Sequence, residues 1–246
     1  MAVGYIVGSA VGAVAFVAGY QTMSPQGQWY GRSLVGLPSG SRKLALTYDD
    51  GPNDPHTLRL LEVLAKHGVH ATFFLVGRYV RKRPDIVREI FNLGHVVGNH
   101  TFSHPNLIFA SEPRTRMELE RCQQAIADAV GNPSLFFRPP FGGRRPATFR
   151  IARQLGLEPV MWRVTGWDWK EKGEDYIEQK VYQQVRGGDV ILLHDGGHEA
   201  FGADRSQTVL ATDRLIARYK SEGYEFVTVA QMMLDQAHPR ASSGSS

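Results

Sequence analysis

His100-Thr101-Phe102-Ser103-His104 sets two imidazoles four residues apart. If the segment turns helically, both rings share one face, a spacing suited to one metal ion. Asp49 and Asp50 stand side by side earlier in the chain, and one of them would complete a two-histidine, one-carboxylate set with open positions for water and substrate. Such a set suits zinc hydrolysis and equally non-haem iron oxygenation, so the ligands alone do not choose. The spare aspartate favours hydrolysis: a carboxylate beside the metal is placed to take a proton from metal-bound water, whose pKa zinc lowers to about 7. His194 is then a candidate to protonate the leaving group. Neighbouring side chains on an extended segment point opposite ways, so Asp49 and Asp50 need not do the same job.

These residues can act together only if the fold brings them to one place. The chain alternates β-rich runs at 43–48, 70–76, 95–98, 135–138, 159–164, 189–193 and 225–229 with helix-period stretches beginning near Thr57, Pro84, Glu112, Pro146, Tyr176 and Thr208. Several helices should stop at a glycine able to adopt the left-handed conformation: Gly68, Gly94, Gly131, Gly156, Gly187 and Gly223. That rhythm predicts an α/β fold, a distorted (β/α) barrel with about seven parallel strands. A dinucleotide fold fits less well, because no G-x-G-x-x-G follows the first run. In a β/α barrel the loops after the strands converge on the active site. Asp49-Asp50-Gly51-Pro52, residues 100–104, Arg138-Pro139-Pro140, Asp168-Trp169 and His194-Asp195 each follow a run, so polar groups from five strand ends point at one mouth.

At 246 residues, 42% hydrophobic and 21% charged, the composition excludes disordered and fibrous classes. The net charge of +4 is scattered rather than gathered into a stripe, and no nucleic-acid partner is expected. The single cysteine, Cys122, excludes an intrachain disulfide and a cysteine-rich zinc site; it reads as a small buried hydrophobe on a helix. Residues 1–20 carry no charged side chain and read as a signal or membrane anchor, which predicts membrane contact and a cell-envelope or secreted location. Both cleavage and retention stay open, as does the oligomeric state. Residues 21–41 read as a connecting segment, 42–237 as the catalytic domain and 238–246 as a flexible tail.

Thr47-Tyr48-Asp49-Asp50-Gly51-Pro52, His100 to His104, Arg138-Pro139-Pro140-Phe141, Asp168-Trp169 and Leu192-Leu193-His194-Asp195 resemble, in order, the five motifs of the polysaccharide deacetylases of carbohydrate esterase family 4. The resemblance covers residues 42–237. It implies metal-dependent removal of acetyl groups, N-acetyl before O-acetyl, from a glycan such as peptidoglycan or a chitin-like oligomer. By the same resemblance Asp49 is the base and His194 the acid. Asp50, His100 and His104 hold one divalent ion, zinc first, with cobalt, nickel or manganese as alternatives. Arg138 orients the base and Asp168 tunes the acid. Pro140, Phe141, Trp169 and Leu192 form the substrate contacts, the last two as walls around the acetyl methyl.

Two departures from the pattern matter. Phe141 replaces the usual tyrosine, keeping the backbone N–H that steadies an oxyanion but losing the phenol. Thr165 stands where a further aspartate is usual, leaving Asp168 as the remaining carboxylate for His194. Trp162 reads as buried core, and His56, His67, His70, His95, His198 and His238 as structural or solvated. The alternative functions are hydrolysis of a non-acetyl or non-sugar C–N bond, or a catalytically silent glycan-binding barrel. Retention of both Asp49 and His194 tells against the silent barrel.

Overall fold

In the computed structural model of the chain, which describes residue 17 and residues 19–238, β1 (Lys43–Gly51) is the axis of the fold. It is buried along all but its first residue, so both faces must be covered. Alternation assigns them. Leu44, Leu46 and Tyr48 join an outer cluster with Leu60, Leu61, Leu64 and Leu215. Ala45 joins an inner one with Leu34, Phe74, Val160 and Met232, and Thr47 and Asp49 follow it at two-residue spacing. Burying a leucine fully is worth about 1.5–3 kcal/mol. A one-residue slip would turn the outer set inward and Asp49 out among the helices, so apolar packing fixes where the carboxylate points.

Around β1 lie β2 (Thr72–Leu75), β3 (Val96–Asn99), β4 (Phe136–Phe137), β5 (Glu158–Pro159), β6 (Val164–Thr165), β7 (Val190–His194) and β8 (Glu225–Phe226). The strands pair in parallel in the order β5-β4-β3-β2-β1-β7-β6, with β8 on the start of β1. Seven strands thus curl into the expected distorted (β/α) barrel. Its helices are α1 (His56–Lys66), α2 (Gly77–Lys82), α3 (Pro84–Asn92), α4 (Glu112–Val130), α5 (Pro146–Gln154), α6 (Glu174–Gln184), α7 (Ser206–Ser221) and α8 (Val229–Ala237). All six glycines expected to end helices have positive φ. Cys122 is buried on α4, as expected. Two helices were not legible: α2 is too short to show a period, and the apolar start of α8 reads as a continuation of β8. Val229 and Met232 of α8 pack into the inner cluster.

The barrel wall does not close. Residues 159–164, expected as one strand, divide between β5 and β6, which form the two edges. Residues 34–37 fill the seam. Leu34 N–H donates to Pro159 O at 3.0 Å, Met161 N–H to Leu34 O at 2.8 Å, and Leu37 N–H to Gly188 O at 2.7 Å. Among the described residues no helix is long and apolar enough to cross a membrane. The anchor or signal expected at residues 1–20 lies almost wholly outside the described residues, as does the tail at 238–246.

Candidate active site

The pairing of β1 with β2 slips between Asp49 and Gly51, where Asp50 takes φ 74°. Aspartate tolerates this left-handed conformation better than most residues. The slip cancels the alternation expected of neighbours on a strand: both carboxylates line one cleft of about 660 Å³. They still have different partners. Asp49 Oδ1 is 2.7 Å from Arg138 Nη1, while Oδ2 faces His100 Nε2 at 3.7 Å. Arg138, wholly buried just past β4, also donates to Thr47 Oγ1 at 2.9 Å, Val160 O at 3.2 Å and Met161 O at 3.1 Å. Its guanidinium lies 4.1 Å from the centre of the Phe74 ring. A buried cation persists only when paired and hydrogen-bonded, and these contacts leave the Asp49 carboxylate one pose.

Asp50 Oδ1 lies 3.1 Å from His104 Nε2 and 3.6 Å from His100 Nε2. His100 Nδ1 is 2.8 Å from Arg138 O. A carbonyl only accepts, so Nδ1 carries the hydrogen and Nε2 turns its lone pair to the cleft. Burial pulls the His100 imidazole down to about 4, which keeps that lone pair available. Burial opposes ionisation of Asp50, yet His104, His198 and His100 beside it hold its carboxyl well below the usual carboxylate range. Asp50 Oδ1 and His104 Nδ1 are both buried without a hydrogen-bond partner. An unsatisfied anionic oxygen facing two imidazole nitrogens fits a shared divalent cation. The three ligand atoms lie within 4.8 Å of one another, and no other such group occurs among the described residues.

Residues 100–104 form a loop rather than the helical turn that would align the imidazoles, with Thr101 and His104 at φ 66° and 61°. Asn99 Oδ1 accepts from Thr101 N at 2.9 Å, and Thr101 Oγ1 accepts from His104 N at 3.1 Å. Glu118, fully buried on α4, accepts from the Phe102 and Ser103 amides at 3.0 and 2.8 Å. These acceptors hold the two rings 4.9 Å apart.

His194 ends β7 directly beside Asp49 in the parallel register. Asp168 Oδ1 is 2.8 Å from His194 Nδ1, and Asp168 Oδ2 accepts from the His194 amide at 2.7 Å and from Thr208 Oγ1 at 2.9 Å. Burial alone would lower this imidazole; the charge and hydrogen bond of Asp168, with help from Asp50 and Asp49, carry it up to about 9. Thr165, at the position of the usual second aspartate, instead accepts from the Trp167 amide at 3.4 Å. Among the described residues, Asp168 therefore supplies both side-chain hydrogen bonds to the histidine.

Leu192, Trp169 and Phe141 line the cleft; Pro140 is buried and outside the lining. Phe141 occupies the first turn of a short 3₁₀ segment at φ 58°, where its N–H has no intrahelical acceptor. Trp162, expected in the core, is only partly buried and forms part of the cleft wall. His198, read as structural or solvated, also lines the cleft, stacked on His104 at 4.5 Å. One signal could have found it: His194 and His198 repeat the four-residue spacing of His100 and His104. Asp50, Thr101, His104, Phe141 and Trp167 are all the non-glycine residues of positive φ among those described, and all lie in or beside this site. Such conformations cost about 1–3 kcal/mol each and collect where function requires them.

A distorted (β/α) barrel with a two-histidine, one-aspartate group at its mouth has the build of a metal-dependent hydrolase. The chain belongs to the polysaccharide deacetylase family, whose model matches residues 37–160. It is 34% identical over 202 residues to a peptidoglycan-N-acetylglucosamine deacetylase of Bacillus cereus, covering 80% of this chain and 91% of the relative. It is 36% identical over 201 residues to a chitooligosaccharide deacetylase of Sinorhizobium fredii, covering 79% of this chain and 94% of the relative. Among solved structures, a peptidoglycan N-acetylglucosamine deacetylase in complex with 4-naphthalen-1-yl-N-oxidanyl-benzamide matches with a TM-score of 0.75. The two are 36% identical over 81% of this chain and 91% of that one. Deacetylases of this family use a divalent metal, and Asp50, His100 and His104 are the candidate group to hold it.

Proposed function

We propose that the chain hydrolyses N-acetyl groups on a polymer of N-acetylated amino sugars, peptidoglycan or a chitin-like oligomer. The observation that carries this reading is the pairing of Asp49 and His194 at adjacent strand ends, the first tied to Arg138 and the second to Asp168, beside Asp50, His100 and His104. A silent binder needs neither tie. The proposed ion is zinc; when bound, it supplies Lewis acidity toward the acetyl carbonyl and renders water acidic enough to lose a proton near neutral pH.

The chain's own groups do the rest. Asp49, its Oδ1 held by Arg138, takes the proton of the attacking water through Oδ2. Leu192 and Trp169 receive the acetyl methyl, an apolar group that orients the carbonyl toward the ligand side of the cleft. The Phe141 N–H donates to the oxygen on which negative charge develops. His194, kept protonated by Asp168, passes its Nε2 proton to the departing nitrogen, and acetate and the free amine leave. A peptidoglycan substrate would call for export of the chain, which is what a signal or anchor at residues 1–20 would provide.

Acetate release from N-acetylglucosamine oligomers, peptidoglycan and O-acetylated xylan, with and without chelator, tests the reading. Chelator-sensitive release from the first two is expected. No release from any N-acetylated glycan by zinc-loaded protein would overturn it.

A further inference from the structure

The loop after β7 carries an imidazole that the proposed reaction leaves idle. His198 Nδ1 lies 3.7 Å from Asp50 Oδ2, the oxygen turned away from His100 and His104. Its ring is stacked on His104 at 4.5 Å and 28°, and meets the edge of Phe141 at 5.1 Å. On its far side, Nε2 faces Glu199 at 3.9 Å.

The loop that presents this ring is built against Asp50. A Cβ at Gly196 would collide with the Asp50 carbonyl, so only glycine permits the approach. Asn53 Nδ2 donates to Asp195 O at 2.9 Å and Ala203 O at 2.8 Å, and its Oδ1 accepts from Gly202 N at 2.9 Å. Arg205 Nε donates to Gly196 O at 2.7 Å. The single hydrogen of the Tyr79 hydroxyl is shared between Gly197 O at 3.1 Å and His198 O at 3.3 Å, and Arg78 donates to His198 O. With its own carbonyl held by Arg78 and beside the Tyr79 hydroxyl, both on α2, His198 has an anchored backbone although its side chain is partly exposed.

We propose that His198 positions the metal site: its Nδ1 faces Asp50 Oδ2 at 3.7 Å while its ring stacks on His104, so that it steadies two of the three residues that would hold the ion. Partners that orient metal ligands typically contribute 10- to 100-fold to metal affinity. The inference rests on the metal reading of Asp50, His100 and His104, and affinity is measurable without any substrate.

The test is titration of the metal-free full chain with Zn²⁺ against a competing chelator, for wild type and for His198→Ala, His198→Phe and His198→Asn. His198→Ala and His198→Phe should bind about 10- to 100-fold more weakly. His198→Asn, whose amide returns a donor near the Nδ1 position, should recover most of the loss. Wild-type affinity in His198→Phe would reduce the residue to an aromatic wall and overturn the proposal, as would unchanged affinity in His198→Ala. Wild-type protein that binds no zinc would overturn the metal reading itself, whereas tight wild-type binding with indifferent variants would sink the His198 role alone.

Discussion

Replacing Asp168 by asparagine should uncouple the shape of the site from its electrostatics. The asparagine carbonyl can still accept from the His194 ring or amide, and Thr208 remains beside it, so the geometry survives. What disappears is the negative charge that lifts His194 from 6.5 to about 9 against the opposing effect of burial. That rise corresponds to about 3 kcal/mol in favour of the imidazolium. Without it, only the smaller contributions of Asp50 and Asp49 oppose burial, and the histidine titrates well below 9, back toward its ordinary 6.5. A general acid must be protonated at the start of the reaction, so the alkaline limb of the rate profile should fall from near pH 9 toward pH 6.5. For a full return to 6.5, the protonated fraction at pH 8 would drop from about 90% to about 3%, a loss of roughly 30-fold in rate that nearly vanishes by pH 6. The assay is acetate release across the full pH range, with metal content measured on the same samples and expected to be unchanged. An alkaline limb that stays in place in Asp168→Asn, or that persists at full rate in His194→Ala, would refute the assignment of His194 as the acid.

The double change His100→Ala, His104→Ala should abolish stoichiometric metal, and elemental analysis showing one ion per chain would place the site elsewhere. Asp49→Asn should retain metal yet lose activity by orders of magnitude, whereas Asp50→Asn should lose both; equal metal loss in the two would end that division of labour. Arg138→Ala leaves Asp49 as an unpaired buried charge and should cost about 3–5 kcal/mol of stability, read by denaturant unfolding. Burial raises the Asp195 carboxyl from 3.8 to about 7, so the native state holds this proton while the unfolded chain releases it. Stability from this group is therefore lost as pH rises from 3.8 to about 7, and Asp195→Asn should flatten the pH dependence of melting over that range.

The strand-end chemistry was legible because it is local. Asp49-Asp50, His100 with His104, and His194 each sit at the end of an apolar run, and the runs announce the barrel. What stayed hidden is whatever depends on distant backbone. Residues 159–164 are apolar apart from Arg163 and read as one strand, and nothing nearby in sequence tells that Leu34 pairs with Pro159 and Met161. The common orientation of Asp49 and Asp50 turns on one positive φ at a residue that is not glycine. Glu118 lies mid-helix in a polar stretch, where a solvated face is the ordinary reading. Its role in holding the His100–His104 loop emerges only once α4 packs behind β3. The relay to His194 survives the loss of an aspartate at Thr165 because Asp168 uses both oxygens on the same residue, a matter of geometry that composition does not encode.

The distortion of the barrel and the placing of the base are one structural fact. In a regular sheet the carbonyls of consecutive residues are taken up by neighbouring strands. Between β5 and β6 the wall is open, Leu34 O takes the Met161 amide, and the carbonyls of Val160 and Met161 have no strand partner. Unpaired buried carbonyls are costly, and Arg138 satisfies both with Nε and Nη2. Those two bonds fix the plane of the guanidinium, which leaves Nη1 directed at Thr47 Oγ1 and Asp49 Oδ1. Had β5 and β6 been one continuous strand, those carbonyls would be spent on a neighbour. Arg138 would then have no seat in the interior from which to hold the base.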